Sequence, residues 1–459
     1  MIFWKKQIAV VALSAVLVMT YVGGAIGAVS PEEAAKLGGP VLTAFGAEKA
    51  GNKDGSIPEY TGGLTKSPPS HKQGSGIWED PFIAEKPLFS INAQNMDQYA
   101  GKLTEGTKAM MKKQPSFRID VYKTHRTIAF PQFVLDGTAR NAVNASTANG
   151  GLSLKGAHAG IPFPIPKDGY EVMWNHLLRY EGRSTELFTN VFSVDSAGRP
   201  SLAATAVCWQ DFPYYDPGVK SAEIYYQIRC DYSGPARMAG EILELQDPIN
   251  MYEKGRKAFQ YLPGLRRVKL APELGFDTPN PNGGGVVTFD DLFIFCGSME
   301  RYNWKLIGKK EMYVPYNAYR VNLGTLNEVF GPKHLNPDFV RWELHRVWVV
   351  EATLRPGKRH IYHKRRIYVD EDSWAALATE NYDARGNIYK FGTVALAPCY
   401  EDPPQLATAV QIFYDLVTTN YVANTWMGIF GGKQGYFKYI EPPPARFWTP
   451  QGIAGSGVR

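Results

Sequence analysis

The residues whose types invite chemistry are few and scattered. Asp290 and Asp291 form an adjacent carboxylate pair, and His345, His360 and His363 fall close together among the eight histidines. A proton-sharing acid pair, or a histidine beside an acid, performs general acid–base catalysis. Spacing argues against both here. Neighbours on an extended chain point to opposite faces, and on a helix they sit well apart. Asp290–Asp291 therefore reads as the acidic first turn of a helix that opens Leu292-Phe293-Ile294-Phe295. By the same rule His360 and His363 point opposite ways, and His345 belongs to another strand. No Asp or Cys completes a metal set, so no metal and no cofactor is expected. The G-x-S-x-G, H-E-x-x-H, G-x-x-x-x-G-K-[ST] and G-x-G-x-x-G signatures are missing. Gly431-Gly432-Lys433 lacks the upstream glycine and the hydroxyl of a phosphate loop.

The basic string Lys358-Arg359-His360 and Lys364-Arg365-Arg366, beside Arg341 and Arg346, reads in two ways. It is the solvated face of a hairpin, or it marks a cavity mouth or patch for an anionic group. Four cysteines are present, without zinc spacing. Cys208 and Cys230 each end a strand-like run and are the disulfide candidates in an oxidising compartment, against the alternative of two buried thiols. Cys296 with Cys399 is the weaker pairing.

The elements that position these residues follow from patterning in 459 residues, 44% hydrophobic and 20% charged. That length allows two domains or one large β domain. A net charge of +6 without a dense basic tract speaks against nucleic acid. Lys5 and Lys6 precede an uncharged run from Ile8 to Ala28 that ends in small residues, and Ala25-Ile26-Gly27 suits a signal peptidase. Residues 1–27 read as a cleaved signal peptide and the mature chain as periplasmic. The competing reading is an inner-membrane anchor made by residues 8–28.

Residues 28–95 are rich in Gly, Pro, Ser, Asn and Lys and read as an extended N-terminal arm, with Ser30 and Glu33 able to cap a short helix. Met96 to Gln114 carries apolar residues at helical spacing, ended by Pro115, so a helix over 96–114 is expected to pack on a sheet. Beyond it the pattern alternates, most clearly over 222–230 and 341–354. Similar runs fall near 117–129, 170–180, 186–194, 201–209, 239–246, 302–314, 359–370, 387–397 and 408–417. Long loops are expected at 131–169 and 271–286. The fold class is mainly β: residues 96–459 form a single domain with a large curved antiparallel sheet, closed or half-open.

With 10 Trp, 26 Tyr and 23 Phe, such a sheet either encloses a wide apolar cavity or packs an aromatic core. Trp304, Trp342 and Trp348 are the candidates for lining a cavity, with Arg341, Arg346 and Lys305 near its mouth.

Several stretches resemble a large proteobacterial family of secreted proteins of unknown function, labelled as related to outer-membrane lipoprotein-sorting proteins. They are LGGPVLTAFGAEKAGNKDGSIPEYTGGL at 37–64, VYKTHRTIAFP at 121–131, LRRVKLAPELGFDTPNP at 265–281 and YNWKLIGKKEMYVPYN at 302–317. The longest is HLNPDFVRWELHRVWVVEATLRPGKRHIYHKRRIYVDEDSW at 334–374. The resemblance implies a LolA/LolB-like fold: a half-open β-barrel with capping helices around a hydrophobic cavity. It implies a carrier or binding protein for a lipid or other hydrophobic molecule, working with an exporter-type inner-membrane transporter and an outer-membrane protein. The chain is longer than the lipoprotein carriers and lacks the acceptor's lipid-bearing cysteine, and no catalytic residue carries over. Two other classes remain: a non-catalytic accessory subunit gripping its partner through the arm, and a lipid or polymer hydrolase using groups such as Asp290 and His345.

Overall fold

The computed structural model describes residues 29–219, 221–401 and 410–457. Strands β1 (Phe89–Ile91) and β2 (Ile119–Val121) precede a small ribbon of β3 (Ser146–Ala148) and β4 (Ser153–Lys155). A first run holds β5 (Ser184–Val194), β6 (Pro200–Asp211), β7 (Ile224–Gly234), β8 (Ile242–Pro248), β9 (Lys257–Leu262) and β10 (Arg267–Leu270). A second holds β11 (Tyr302–Pro315), β12 (Arg341–Leu354), β13 (Lys364–Asp370), β14 (Ala376–Tyr382), β15 (Ile388–Val394), β16 (Gln411–Asp415) and β17 (Tyr421–Trp426). A second ribbon, β18 (Ile429–Phe430) with β19 (Lys433–Gln434), leads to β20 (Tyr436–Tyr439). The α-helices are α1 (Pro31–Ala34), α2 (Glu105–Lys113), α3 (Gln132–Asn144), α4 (Gly169–Leu177), α5 (Leu326–Val329) and α6 (Pro450–Gly457).

Sixteen strands make one sheet. Its spine runs β11-β12-β13-β14-β15-β16-β17-β5-β6-β7-β8-β9-β10, and the junction of β17 with β5 joins the two runs. Every ladder is antiparallel except the two-residue pairing of β2 with β12. The sheet is mainly a meander, and it is not closed. Among the described residues β11 pairs only with β12 and β10 only with β9, so the two ends of the spine are open edges. Strong curvature brings β11 against β14 and β15 as well.

Because β10 and β11 are consecutive in the chain but end opposite sides of the spine, residues 271–301 must cross the sheet. They do so on its inner face, where Phe289, Phe293, Ile294, Phe295 and Met299 are buried. Beside them lies α4, whose Asp168 cap accepts from Glu171 N and whose residues from Val172 to Leu177 are all buried. The sequence pattern predicts a strand over 170–180. The helix is buried on every side, and its polar residues Glu171 and Asn175 point inward to the Lys167 amide and the Phe163 backbone, so no solvent-facing stripe marks its period.

Other elements also depart from expectation. The helix over 96–114 is broken: a 3₁₀ stretch, Met96–Lys102, stops at the extended Leu103, and Thr104 caps α2 by accepting from Thr107 N. Helix α3 occupies part of the loop expected at 131–169. Strands β9, β10, β14 and β17 lie where no run was read. Ser30 and Glu33 form the capping box of α1. Residues 29–88 carry almost no regular structure but are tied down along their length. Trp374 Nε1 donates to Phe45 O, Trp78 Nε1 to Phe437 O, and Arg346 to Ala50 O. The leader expected at 1–27 lies outside the described residues.

Candidate functional site

Register places one patch of the inner face across four strands. Leu187 of β5 stands opposite Cys208 of β6, which faces Cys230 of β7, which in turn faces Leu243 of β8. One step along, Thr189, Ala206 and Tyr232 make the next row. On the other side Thr185, Gln210, Ile228 and Leu245 make a third. Directly opposed residues share a face, so these rows form a floor. Cys208 and Cys230 are joined by a disulfide within it, while Cys296 and Cys399 are free and buried.

The floor recedes where β6 presents Ala204, Ala206 and Cys208. Asn280, Asn282, Phe289, Leu292 and Phe293 of the crossing segment pass over it as a roof, and Asn424 and Thr425 close one side. The space between is a cavity of about 80 Å³. Among the described residues none of its lining side chains is Asp, Glu, Lys, Arg or His.

A buried ionic cluster holds the roof down. Arg365 on β13, fully buried, donates to Asp290 (3.1 Å), Asp291 (2.8 Å) and the carbonyl of Ile294 (2.8 Å). His360 Nε2 lies 3.0 Å from Asp290, and the Tyr362 hydroxyl donates to Asp291 at 2.7 Å. Burial by itself raises the Asp290 carboxyl, but Arg365 and His360 outweigh it and hold the group well below the usual carboxylate range. The expected helix opening at Asp290–Asp291 is replaced by a 3₁₀ turn, Phe289–Asp291, followed by Phe293 and Ile294 at φ of 52° and 72°. A β-branched residue in the left-handed region is strained. Arg365 on the Ile294 carbonyl and Gln411 Oε1 on the Phe293 amide hold the chain there.

His176 of α4 ties the far end of the roof to β14. Its Nε2 is 3.0 Å from Phe295 O, and its Nδ1 is 3.0 Å from the Ala376 amide. Those partners assign a neutral ring with hydrogen on Nε2, and burial, with Arg179 nearby, depresses its pKa to match.

None of the six residues proposed from sequence for a cavity and its mouth lines this one. Trp304 packs against Phe295 and Tyr302 with its Nε1 on Met299 O. Trp342 is buried in a crevice of about 10 Å³ with Phe117, Phe391 and Tyr414. Trp348 lines a separate open cleft of about 510 Å³ under Val41 and Leu42, with the Lys309 ammonium 4.6 Å from its ring centre. Arg341 is bound to Glu343, Glu85 and the Lys123 carbonyl. Arg346 is bound to Ala50 O and Glu371. Lys305 is exposed on β11, opposite Glu351. The basic string divides: Lys358 and Arg359 are exposed, Lys364 and Arg366 are half-buried beside Glu351, and Arg365 is buried in the latch. His345 is buried against Tyr316, 3.7 Å between ring centres, with Glu343 at 3.1 Å. Trp304 and Trp342 help fill the core of so wide a sheet, whereas this cavity forms where the side chains of β6 are small. The signal available in the sequence was Ala204, Ala206 and Cys208 at alternate positions of one strand.

The open curved sheet thus carries a roofed cavity, and among the described residues its lining side chains include no charged group. Among the described residues no cluster of His, Cys, Asp and Glu could hold a metal, and no helix is long and apolar enough to cross a membrane. The chain belongs to the family described as Protein of unknown function (DUF1329), whose model matches residues 90–454. It is 39% identical over 442 residues to Uncharacterized protein PA3922 of Pseudomonas aeruginosa, covering 94% of this chain and 95% of that one. It is also similar to the crystal structure of a putative outer membrane lipoprotein-sorting protein domain from Vibrio parahaemolyticus, at 14% identity and a TM-score of 0.43. That match covers 62% of this chain and 98% of the other. A DUF1329 family protein from Desulfovibrio piger matches at 10% identity and a TM-score of 0.40, over 59% and 91% of the two chains.

Proposed function

We propose that the protein is a periplasmic carrier or binding protein for a hydrophobic molecule, without catalytic activity of its own. The observation that carries this reading is the uncharged cavity between the β5–β8 floor and the roof formed by residues 280–293. Its about 80 Å³ is below the roughly 300–1,000 Å³ of small-molecule sites. Loading therefore requires the roof to lift, so that Phe289, Leu292 and Phe293 yield their space to cargo. Burying a twelve-carbon chain is worth roughly 10 kcal/mol gross at about 0.8 per methylene, enough to drive that exchange. The groups named for a hydrolase support the carrier instead: Asp290 is consumed by Arg365 and His360, and His345 sits in a packed ring stack. The leader-like composition of residues 1–27 and the Cys208–Cys230 disulfide suit an oxidising periplasm. In this reading the 28–95 segment straps the sheet and offers a surface to an envelope transporter or outer-membrane partner.

Native mass spectrometry of the protein purified from the cell envelope, with its organic extract analysed in parallel, tests the carrier. A discrete mass excess matched by an apolar species is expected. Ala206→Phe fills the cavity from the floor and is expected to abolish the excess while leaving the circular dichroism spectrum unchanged. A bare wild-type mass that stays bare after incubation with membrane extract refutes the carrier.

A further inference from the structure

We infer that the molecule this cavity takes is an uncharged lipid bearing a hydroxyl group, such as a long-chain alcohol, an acylglycerol or a sterol-like alcohol. Fatty acids and phospholipids are rejected. This rests on the carrier reading above and narrows it.

Two independent features of the lining point that way. The first is the lack of any ionisable side chain around the cavity among the described residues. A carboxylate or phosphate entering it would be stripped of water without a counter-ion, a penalty of several kcal/mol per ion. A buried cation beside the roof does not relieve this. The Arg179 guanidinium lies 4.7 Å from the ring centre of Phe293, but it is already paired with the buried Glu181 at 2.6 Å.

The second feature is a set of polar atoms left without partners. Gln210 Oε1, on the floor, and Asn282 Oδ1, on the roof, are buried and accept no hydrogen bond. These two residues are 1% and 7% exposed. Buried polar groups are normally satisfied, because each orphan forfeits its bond to water. Two unpaired acceptors in an uncharged lining are complementary to a group that donates a hydrogen bond without carrying charge, which an alcohol does. A pure hydrocarbon would leave both unsatisfied, and a carboxylate would offer acceptors to acceptors.

The full-length mature protein, delipidated, is titrated with 1-dodecanol, dodecane, dodecanoate and a twelve-carbon lysophosphatidylglycerol, by calorimetry or by displacement of a fluorescent apolar probe. The expected order is dodecanol first, tighter than dodecane by about tenfold, with dodecanoate and the lysophospholipid weaker still at pH 8. The pair of substitutions Gln210→Met and Asn282→Leu is expected to erase the preference for alcohol over alkane while leaving dodecane binding within about twofold. Dodecanoate or the lysophospholipid binding as tightly as dodecanol overturns the inference and leaves the carrier reading standing. So does an alcohol preference that survives both substitutions. Failure of all four probes to bind overturns the carrier reading itself.

Discussion

Replacing Arg365 with leucine releases the latch on the roof, and the structure sets the size of the effect. The guanidinium is fully buried and is the main cation facing Asp290 and Asp291, which are 3% and 1% exposed. Without it the two carboxylates keep His360, Tyr362 and Thr288 as partners. Breaking a buried pair by removing one member costs roughly 3–5 kcal/mol, because the remaining charge stays buried. Urea unfolding at pH 7.5 is expected to report a loss in that range, and hydrogen exchange to localise it to amides 286–296. The pH dependence follows from the direction of the shift. Burial raises the Asp290 carboxyl, Arg365 and His360 more than reverse this, and the net depression means its stabilisation is complete above the unfolded value of about 3.9. That stabilisation is lost as pH falls from there toward the depressed native value. In Arg365→Leu the cation is gone, burial dominates at Asp290, and its carboxyl takes up a proton on acidification, which relieves the penalty. The gap between the two proteins is therefore widest near pH 7.5 and narrows toward pH 4.5. Asp290→Asn with Asp291→Asn, added to Arg365→Leu, should recover most of the loss. A loss below about 1 kcal/mol, or a gap that is the same at both pH values, would show that the cluster is not the latch described.

Two further outcomes follow from groups elsewhere in the sheet. Glu244, fully buried on β8, is pushed up to about 7 by burial, which outweighs its bond from Gln246. The fold thus keeps a proton that the unfolded chain releases near 4.3, and stability falls as pH rises between those values. Glu244→Gln should match wild type at pH 4.5 and exceed it at pH 8 by roughly 1–3 kcal/mol. A difference in unfolding free energy that does not grow with pH counts against the burial argument. The Cys208–Cys230 bridge spans 22 residues, for which chain entropy gives about 3 kcal/mol. Cys208→Ala with Cys230→Ala should lose about that much in urea unfolding, and equal midpoints for the two proteins would contradict it.

The strands most legible in the sequence were those with one face toward water or with clean alternation. Tyr302–Pro315 and Arg341–Leu354 emerged within a residue or two of their ends. Burial on both sides hid some elements, although Arg341–Leu354 is itself buried along most of its length. α4 buries its polar Glu171 and Asn175 along with its apolar residues, and β14, Ala376–Tyr382, is buried at every position and so shows no alternation. The candidate site was hidden for a different reason. Tryptophans draw the eye to a cavity, yet Trp304 and Trp342 are buried in the interior away from this one. Spacing also misled at Asp290–Asp291. Adjacent side chains diverge on a strand, but a 3₁₀ turn followed by two left-handed residues lets both reach one guanidinium. Such a backbone is set by partners distant in sequence, Arg365 and Gln411, and no local pattern encodes it.

The position of the cavity then follows from topology and residue size together. Thirteen strands form the spine. Laid flat at about 4.8 Å spacing they would separate the edges by roughly 60 Å, and open sheets beyond about ten strands curl. The curl leaves an inner face that something must cover, and the chain between β10 and β11 is obliged to cross it in any case. Its roof portion lies over β5 and β6, then reaches Gln411 of β16, Arg365 of β13 and Trp304 of β11 in order. Over β13 and β11 the contacts are rings and an ion cluster that fill the space. Over β6 the facing side chains are Ala204, Ala206 and Cys208, too short to meet Phe289 and Phe293. A roof held down at one end over a floor of short side chains at the other encloses space only at the second end. In the carrier proposed above, opening starts at that end, because the ion cluster and His176 hold the other. Enlarging the floor at Ala206 and cutting the latch at Arg365 therefore act on opposite ends of one segment. The first should remove binding without loosening the roof, and the second should loosen the roof without removing the cavity.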